Sequence, residues 1–385
     1  MNERTTRAGV EALPALTGIR FPLALWVVLH HLSGPGRLLD PVIAPHVHVA
    51  VFIDAAWAAL SAFFAISGFL LARRYAQASW TRPALARFAV ARFARIYPLY
   101  ALSLVILLPI MREALSGGEL GSPFERVGIV LNYVLLLQAW QRPPVDWNTP
   151  AWSLSCEVFF YACTPILVGL VRRPSLPRLL GTALLACAVP IALRLLIAPP
   201  IPKAILYLGD FLMGVAAAGL FARLAHGRTP LSRIGPWLYL PALIVGAVWL
   251  IMRDSFESFA VFDTGVRVIS VLLVLGLACG GGRLVALLST PLVQLGGRAS
   301  FAVYILHIPL LWWFKRSAVH AVLPPVYAGV LYLALVLVVA VAASRWFEEP
   351  MNAFIRRSTS LRSLLRRGRA DRGGWNRDSE APLAT

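Results

Sequence analysis

Three ionisable residues stand inside otherwise apolar runs. Arg20 and His31 lie in LTGIRFPLALWVVLHH, residues 16–31, and Glu157 lies in TPAWSLSCEVFFYACTP, which starts at Thr149. An imidazole beside a carboxylate makes a general base: the carboxylate orients the ring and stabilises the imidazolium that forms. A guanidinium in the same space positions a polar substrate or steadies developing negative charge. Such a set activates a hydroxyl and moves a group onto it. Burying each charge in a membrane-spanning helix costs about 3 kcal/mol on insertion scales, which makes these residues functional candidates.

Helix geometry must position them. Arg20 and His31 are separated by roughly 16 Å along a helix and by close to three full turns, so they share one face without touching. They suit the lining of a single passage, with Arg20 inward and His31 outward, while His30 points elsewhere. Glu157 sits a little over one turn into a later apolar segment, at the depth expected for His31. From spacing alone, His31 and Glu157 also suit hydrogen bonding to a neighbouring helix, and Arg20 suits snorkelling to an interface. Asp54 and Asp210 are read as structural or cavity-lining acids, His46 and His48 as solvated loop residues. His307, mid-segment, either lines the same passage or bonds a carbonyl.

The chain that carries these residues has 385 residues, of which 58% are apolar and 14% charged. Soluble domains carry about a quarter charged residues, so this composition excludes an ordinary soluble enzyme and excludes disorder. The net charge is +18, with Lys203 and Lys315 the only lysines. This basic excess is read as positively charged loops on the inner side of a bilayer, not as a nucleic-acid surface. The four cysteines lie in apolar runs with no metal-ligand spacing, so no metal site is expected.

A spanning helix needs about 20 mostly apolar residues. Such segments are read at 13–33, 49–72, 93–111, 127–140, 152–171, 179–198, 203–222, 235–252, 262–280, 299–317 and 323–346. The segment 127–140 is short and contains Asn132 and Gln138, and reads as re-entrant or interfacial. Ten crossings then place every basic connection on one side: Arg73–Arg95, Arg172–Arg178, Arg223–Arg233, Arg283–Arg298, and a tail with eight Arg from Arg356 to Arg377. The acidic connections, with Glu113, Glu119, Glu125, Asp146, Asp254, Glu257 and Asp263, fall on the other. The expected protein is an all-α polytopic transmembrane bundle of about ten spans plus one short segment. Its membrane domain covers 1–352 and a basic, disordered cytoplasmic tail 353–385. Both termini are expected in the cytoplasm, and the Arg-rich, Lys-poor usage fits the inner membrane of a bacterium.

Two further strings fit a passage. In FFAISGFLLARR, residues 63–74, Ser67 and Gly68 suit either close helix packing or a gap for a long ligand. Arg73 and Arg74 end that span. In RFARIYPLY, residues 92–100, Arg92 and Arg95 share one helix face. Guanidiniums there suit a phosphate-rich ligand or interfacial anchoring. No Walker-type loop or GxGxxG is present, and no GxSxG elbow.

Taken in order, these strings, with YLGDFLMGVAAA (207–218) and LGGRASFAVYILHIPLL (295–311), resemble the membrane-bound acyltransferase-3 family. The likeness runs from about residue 11 to 352. Its first-span Arg and His map onto Arg20 and His31. The SGF element maps onto Ser67, Gly68 and Phe69, and the basic element onto Arg92 and Arg95. The W-S-L-x-x-E element maps onto Trp152, Ser153, Leu154 and Glu157, and the late S-x-x-x-Y-x-x-H element onto Ser300, Tyr304 and His307. The resemblance implies transfer of an acyl group, most simply acetyl, from cytoplasmic acyl-CoA to a hydroxyl of a glycan, lipid or macrolide acceptor. Acyl-CoA is then a co-substrate, with no bound cofactor. His31 is expected as base steered by Glu157, Arg73, Arg74, Arg92 and Arg95 as phosphate holders, and Arg20 as donor-positioning. Family members with an added hydrolase-like domain differ from this chain, whose tail is too short and too basic for one. The alternative from the charged spans alone is a transporter or flippase, although no paired halves are visible.

Overall fold

A computed structural model describes residues 13–358 apart from 35, 118–119, 198–199 and 257. The Arg-rich tail from 359 onward, Glu119 and Glu257 lie outside the described residues. Those residues form helices joined by turns, with no strand among them. Ten helices are long and apolar enough to cross a bilayer, which we number in order. They are α1 (Pro14–Leu32), α2 (Val47–Tyr75), α3 (Arg82–Ser116), α4 (Ala151–Val171), α5 (Leu176–Leu196), α6 (Lys203–Ala225), α7 (Leu231–Ile251), α8 (Phe259–Cys279), α9 (Pro291–Lys315) and α10 (Pro325–Ser358).

The short segment predicted at 127–140 is a 12-residue helix, Pro123–Val134, followed by an irregular turn. It starts with a capping box in which Ser122 and Glu125 satisfy each other's backbone donors. At about 18 Å it is too short for a hydrocarbon core of about 30 Å. By contrast α3, with 35 residues, is longer than the core needs. Its first turns, carrying exposed Arg82 and Arg87, continue the basic connection from α2.

Burial sorts the helices. The most apolar window of α9 is 72% buried and that of α6 67%, against 22% for α5. So α9 and α6 are central and α5 lies at the rim. Two apolar clusters fill the interior. One joins the first half of α1 with α2, α4, α6 and α8. The other joins the rest of α1 with α3, α9 and α10. Phe63 and Tyr161 pack against both, which marks the seam between them.

The stripe of small residues in α2 is used for packing. A Cβ at Gly68 would fall 2.1 Å from the Phe211 carbonyl oxygen of α6, and one at Gly214 of α6 would fall 2.0 Å from that of Ala65. The backbones of α2 and α6 therefore touch, as small-residue helix pairs do. The gap considered at Gly68 is occupied by α6, while Ser67 turns its hydroxyl to Glu157 of α4. Asp263, read from sequence as a connection residue, lies inside α8 and is 1% exposed. There it pairs with Arg194 and Arg267.

Candidate active site

Along the seam, α1 and α9 run side by side. Gly296 and Gly297 of α9 lie against Phe21 and Thr17 of α1, and the last turn of α1 brings His31 beside His307 in the second half of α9. The Nε2 of His307 is 3.3 Å from the Nδ1 of His31. Each ring also faces a backbone carbonyl one turn back: His31 Nδ1 is 2.9 Å from the Val27 oxygen, and His307 Nδ1 is 3.2 Å from the Val303 oxygen. A carbonyl only accepts, so in neutral rings both Nδ1 atoms carry the hydrogen. The one His31 Nδ1–H is then shared between the Val27 carbonyl and the His307 Nε2 lone pair, and the Nε2 of His31 is left as a bare lone pair. Tyr332 fixes this turn by donating to the His307 carbonyl.

Glu157 is elsewhere. It accepts from Ser67 Oγ at 3.1 Å and from Tyr161 OH at 3.0 Å, and lines a cavity of about 60 Å³ with Arg20, Arg95, Ser153, Ser300 and Tyr304. The side chain beside the His31 ring is His307, not the Glu157 carboxylate expected there. Ser153 and Tyr304 join across helices by a 2.7 Å hydroxyl contact. On α9, Ser300, Tyr304 and His307 recur at helical spacing, so one face carries polar groups from the cavity to the histidine pair.

Cations outnumber anions around this cavity. Arg95 pairs with Glu348 of α10, which is 3% exposed, and its guanidinium lies 5.2 Å from the Phe301 ring centre. The Nε of Arg20 and that of Arg92 are buried with no hydrogen-bond partner among the described residues. Arg92 stacks 5.5 Å from the Tyr161 ring and lines a groove of about 390 Å³ between α3 and α4, which shares Ile96 and Tyr161 with the central cavity.

The four arginines expected as one cradle are split. Arg73 lines a separate space of about 640 Å³ with Arg172, Arg223 and His226, and lies 5.4 Å from the Phe221 ring. Arg74 is exposed and lies beside Tyr75. Trp152 faces away from the central cavity, stacked near Tyr207 and under Lys203 Nζ at 4.0 Å from its ring centre. Tyr161 and Glu348 complete the site and were missed from sequence. The signal for Glu348 was an acid closely following the last apolar run.

A ten-span bundle with an uncompensated cationic seam defines a multi-pass membrane protein whose polar chemistry sits inside its spanning helices. The acyltransferase domain family matches residues 13–345, and the chain belongs to that family: it is a membrane acyltransferase. It is similar to acyltransferase MdmB of Streptomyces mycarofaciens, 29% identical over 338 residues, which span 80% of this chain and 81% of the relative. No solved structure matches. Among the described residues no group of His, Cys, Asp or Glu is placed to hold a metal ion.

Proposed function

We propose that the protein transfers an acetyl or similar short acyl group from acyl-CoA to an acceptor hydroxyl, with His31 as general base. The observation that carries this reading is the bare Nε2 of His31, left free because Val27 and His307 hold the other ring nitrogen. The acceptor O–H gives its proton to that nitrogen as the oxygen attacks the thioester carbonyl carbon. A C–O bond forms, the C–S bond breaks, and the departing thiolate takes the proton from the imidazolium.

Charge placement supports a donor entering from the basic end, where Arg92 and Arg95 hold phosphate oxygens and the groove between α3 and α4 takes the pantetheine arm. Arg20 then positions the donor in the central cavity, while Tyr304, one turn from His307, lies toward the thioester oxygen. A space of about 60 Å³ fits a short acyl group, not a long chain. The basic connections support a cytoplasmic face at that end, with both termini inside and the histidine pair toward the outer face of a bacterial inner membrane.

Membranes holding wild-type, His31→Ala or Arg20→Ala protein at matched levels are given labelled acetyl-CoA, and label on hydroxyl-bearing products is counted. The variants are expected to lose transfer. Wild-type rates in both variants overturn the reading.

A further inference from the structure

The cavity of about 640 Å³ that Arg73 lines shares no residue with the central cavity and lies at the end that carries the basic connections. The ends of α2 and α6 and the link between α4 and α5 form it. Its polar side chains are Arg73, Gln77, Arg172, Arg223 and His226, and among the described residues no carboxylate lines it. Backbone holds the cationic groups in place. Arg172 donates to the Ala76 carbonyl at 3.3 Å and to the Ala78 carbonyl at 2.8 Å, and Gln77 donates to the Arg172 carbonyl at 3.0 Å. Arg223 donates to the Pro174 carbonyl at 2.9 Å. Carbonyls orient a guanidinium without cancelling its charge. A guanidinium carries five N–H donors, so Arg172 and Arg223 keep donors to give, and neither forms an ion pair among the described residues.

Guanidiniums gathered in one concavity raise the local positive potential and draw in an anion, and phosphate oxygens match their fork of donors. The surroundings select which phosphate. Val171 and Phe221 give the cavity an apolar wall, with the Arg73 guanidinium 5.4 Å from the Phe221 ring centre. Just beyond Pro174, the first turns of the rim helix α5 expose Leu176 and Leu180, at 47% and 60%. A phosphate seated on Arg172 and Arg223 therefore has an outward apolar helix face beside it. A soluble anion has no use for such a face, and the acyl chains of a lipid do.

We propose that this cavity seats the anionic headgroup of a membrane phospholipid, with its phosphate on Arg172 and Arg223 and its acyl chains along α5. The bound lipid ties the ends of α2 and α6 to the link between α4 and α5. Full-length protein in a neutral detergent is titrated with phosphatidylglycerol and, in parallel, with phosphatidylcholine, and bound lipid is counted by native mass spectrometry. Phosphatidylglycerol is expected to bind about tenfold tighter. Arg223→Gln and, separately, Arg172→Gln are expected to weaken it about fivefold each. Arg173→Gln, next along the chain but outside the cavity, is expected to keep wild-type affinity within about twofold. Acetyl-CoA and inorganic phosphate, at the concentration of the lipid, are expected to leave it bound. Equal affinity for the two lipids, or wild-type affinity in Arg223→Gln, overturns the proposal. An equal loss in Arg173→Gln also overturns it, because that marks diffuse surface charge. Displacement by acetyl-CoA or inorganic phosphate overturns it too and assigns the cavity to a soluble phosphate. If Arg172→Gln fails to fold, Arg223→Gln decides.

Discussion

The bundle buries two clusters of charge, and they are built on opposite plans. In the first, Arg194 of α5 pairs with Asp263 of α8 at 2.7 Å, and Arg267 of α8 bonds Asp263 at 3.1 Å and Asp210 of α6 at 3.2 Å. Two cations meet two anions, and Arg267, Asp210 and Asp263 are each 1% exposed. Its unpaired atoms, on Asp210, Asp263 and Arg267, are of both signs. In the second, along the α1–α9 seam, three cations, Arg20, Arg92 and Arg95, accompany two anions, Glu157 and Glu348, and the unpaired atoms are on Arg20, Arg92 and Glu348. The first closes on itself and ties three helices together. The second keeps one cation in excess, which suits the anionic donor proposed above. Charge balance, not burial, distinguishes the two clusters.

The contrast can be broken by mutation. His31→Ala is expected to lower transfer by about 10²–10⁴-fold, the usual worth of a general base, while yield and thermal unfolding in detergent stay at wild-type values. A matching fall in stability would erase the distinction. Arg267→Ala is expected to do the reverse. Leaving Asp210 unpaired costs about 3–5 kcal/mol of stability, read as a lowered unfolding temperature. The pair Arg267→Met with Asp210→Leu restores most of it, because Arg194 and Asp263 remain together. A double variant as unstable as the single would show that the cluster does more than neutralise charge. His307→Ala sharpens the seam side: with the His31 ring free to turn, transfer is expected to fall about 10²-fold, and an Asn or Gln at 307 recovers part of it. The smallest effect falls on a third charge group, at the surface, where Arg253 bonds Asp54 at 2.6 Å and Asp54 is 56% exposed. That carboxylate holds the guanidinium above its ordinary pKa. Asp54→Asn is nonetheless expected to shift stability by less than about 1 kcal/mol, since exposed pairs contribute little.

Hydropathy made the ten spans legible, helical spacing placed Arg20 and His31 on a single face, and the family resemblance picked out Ser300, Tyr304 and His307. These are properties of one helix at a time. Contacts between helices were not legible. Glu157 and His31 were matched by depth, but depth says nothing about rotation, and rotation turns Glu157 toward Ser67 and Tyr161. The same blindness hid Glu348 beside Arg95 and split Arg73 from Arg92. The Asp263–Arg267 pair did leave a trace, an acid and a base four residues apart, which a window average of hydropathy dilutes.

The backbone contact between Gly68 and Gly214 has a mechanical consequence. Helices that meet atom to atom along their main chains cannot part or slide without losing that fit, so α2 and α6 form a fixed jamb beside the chamber. By contrast α3 and α4 touch only lightly, with aromatic and aliphatic side chains between them. That wall, held by side chains and not by main-chain contact, is the looser side of the chamber.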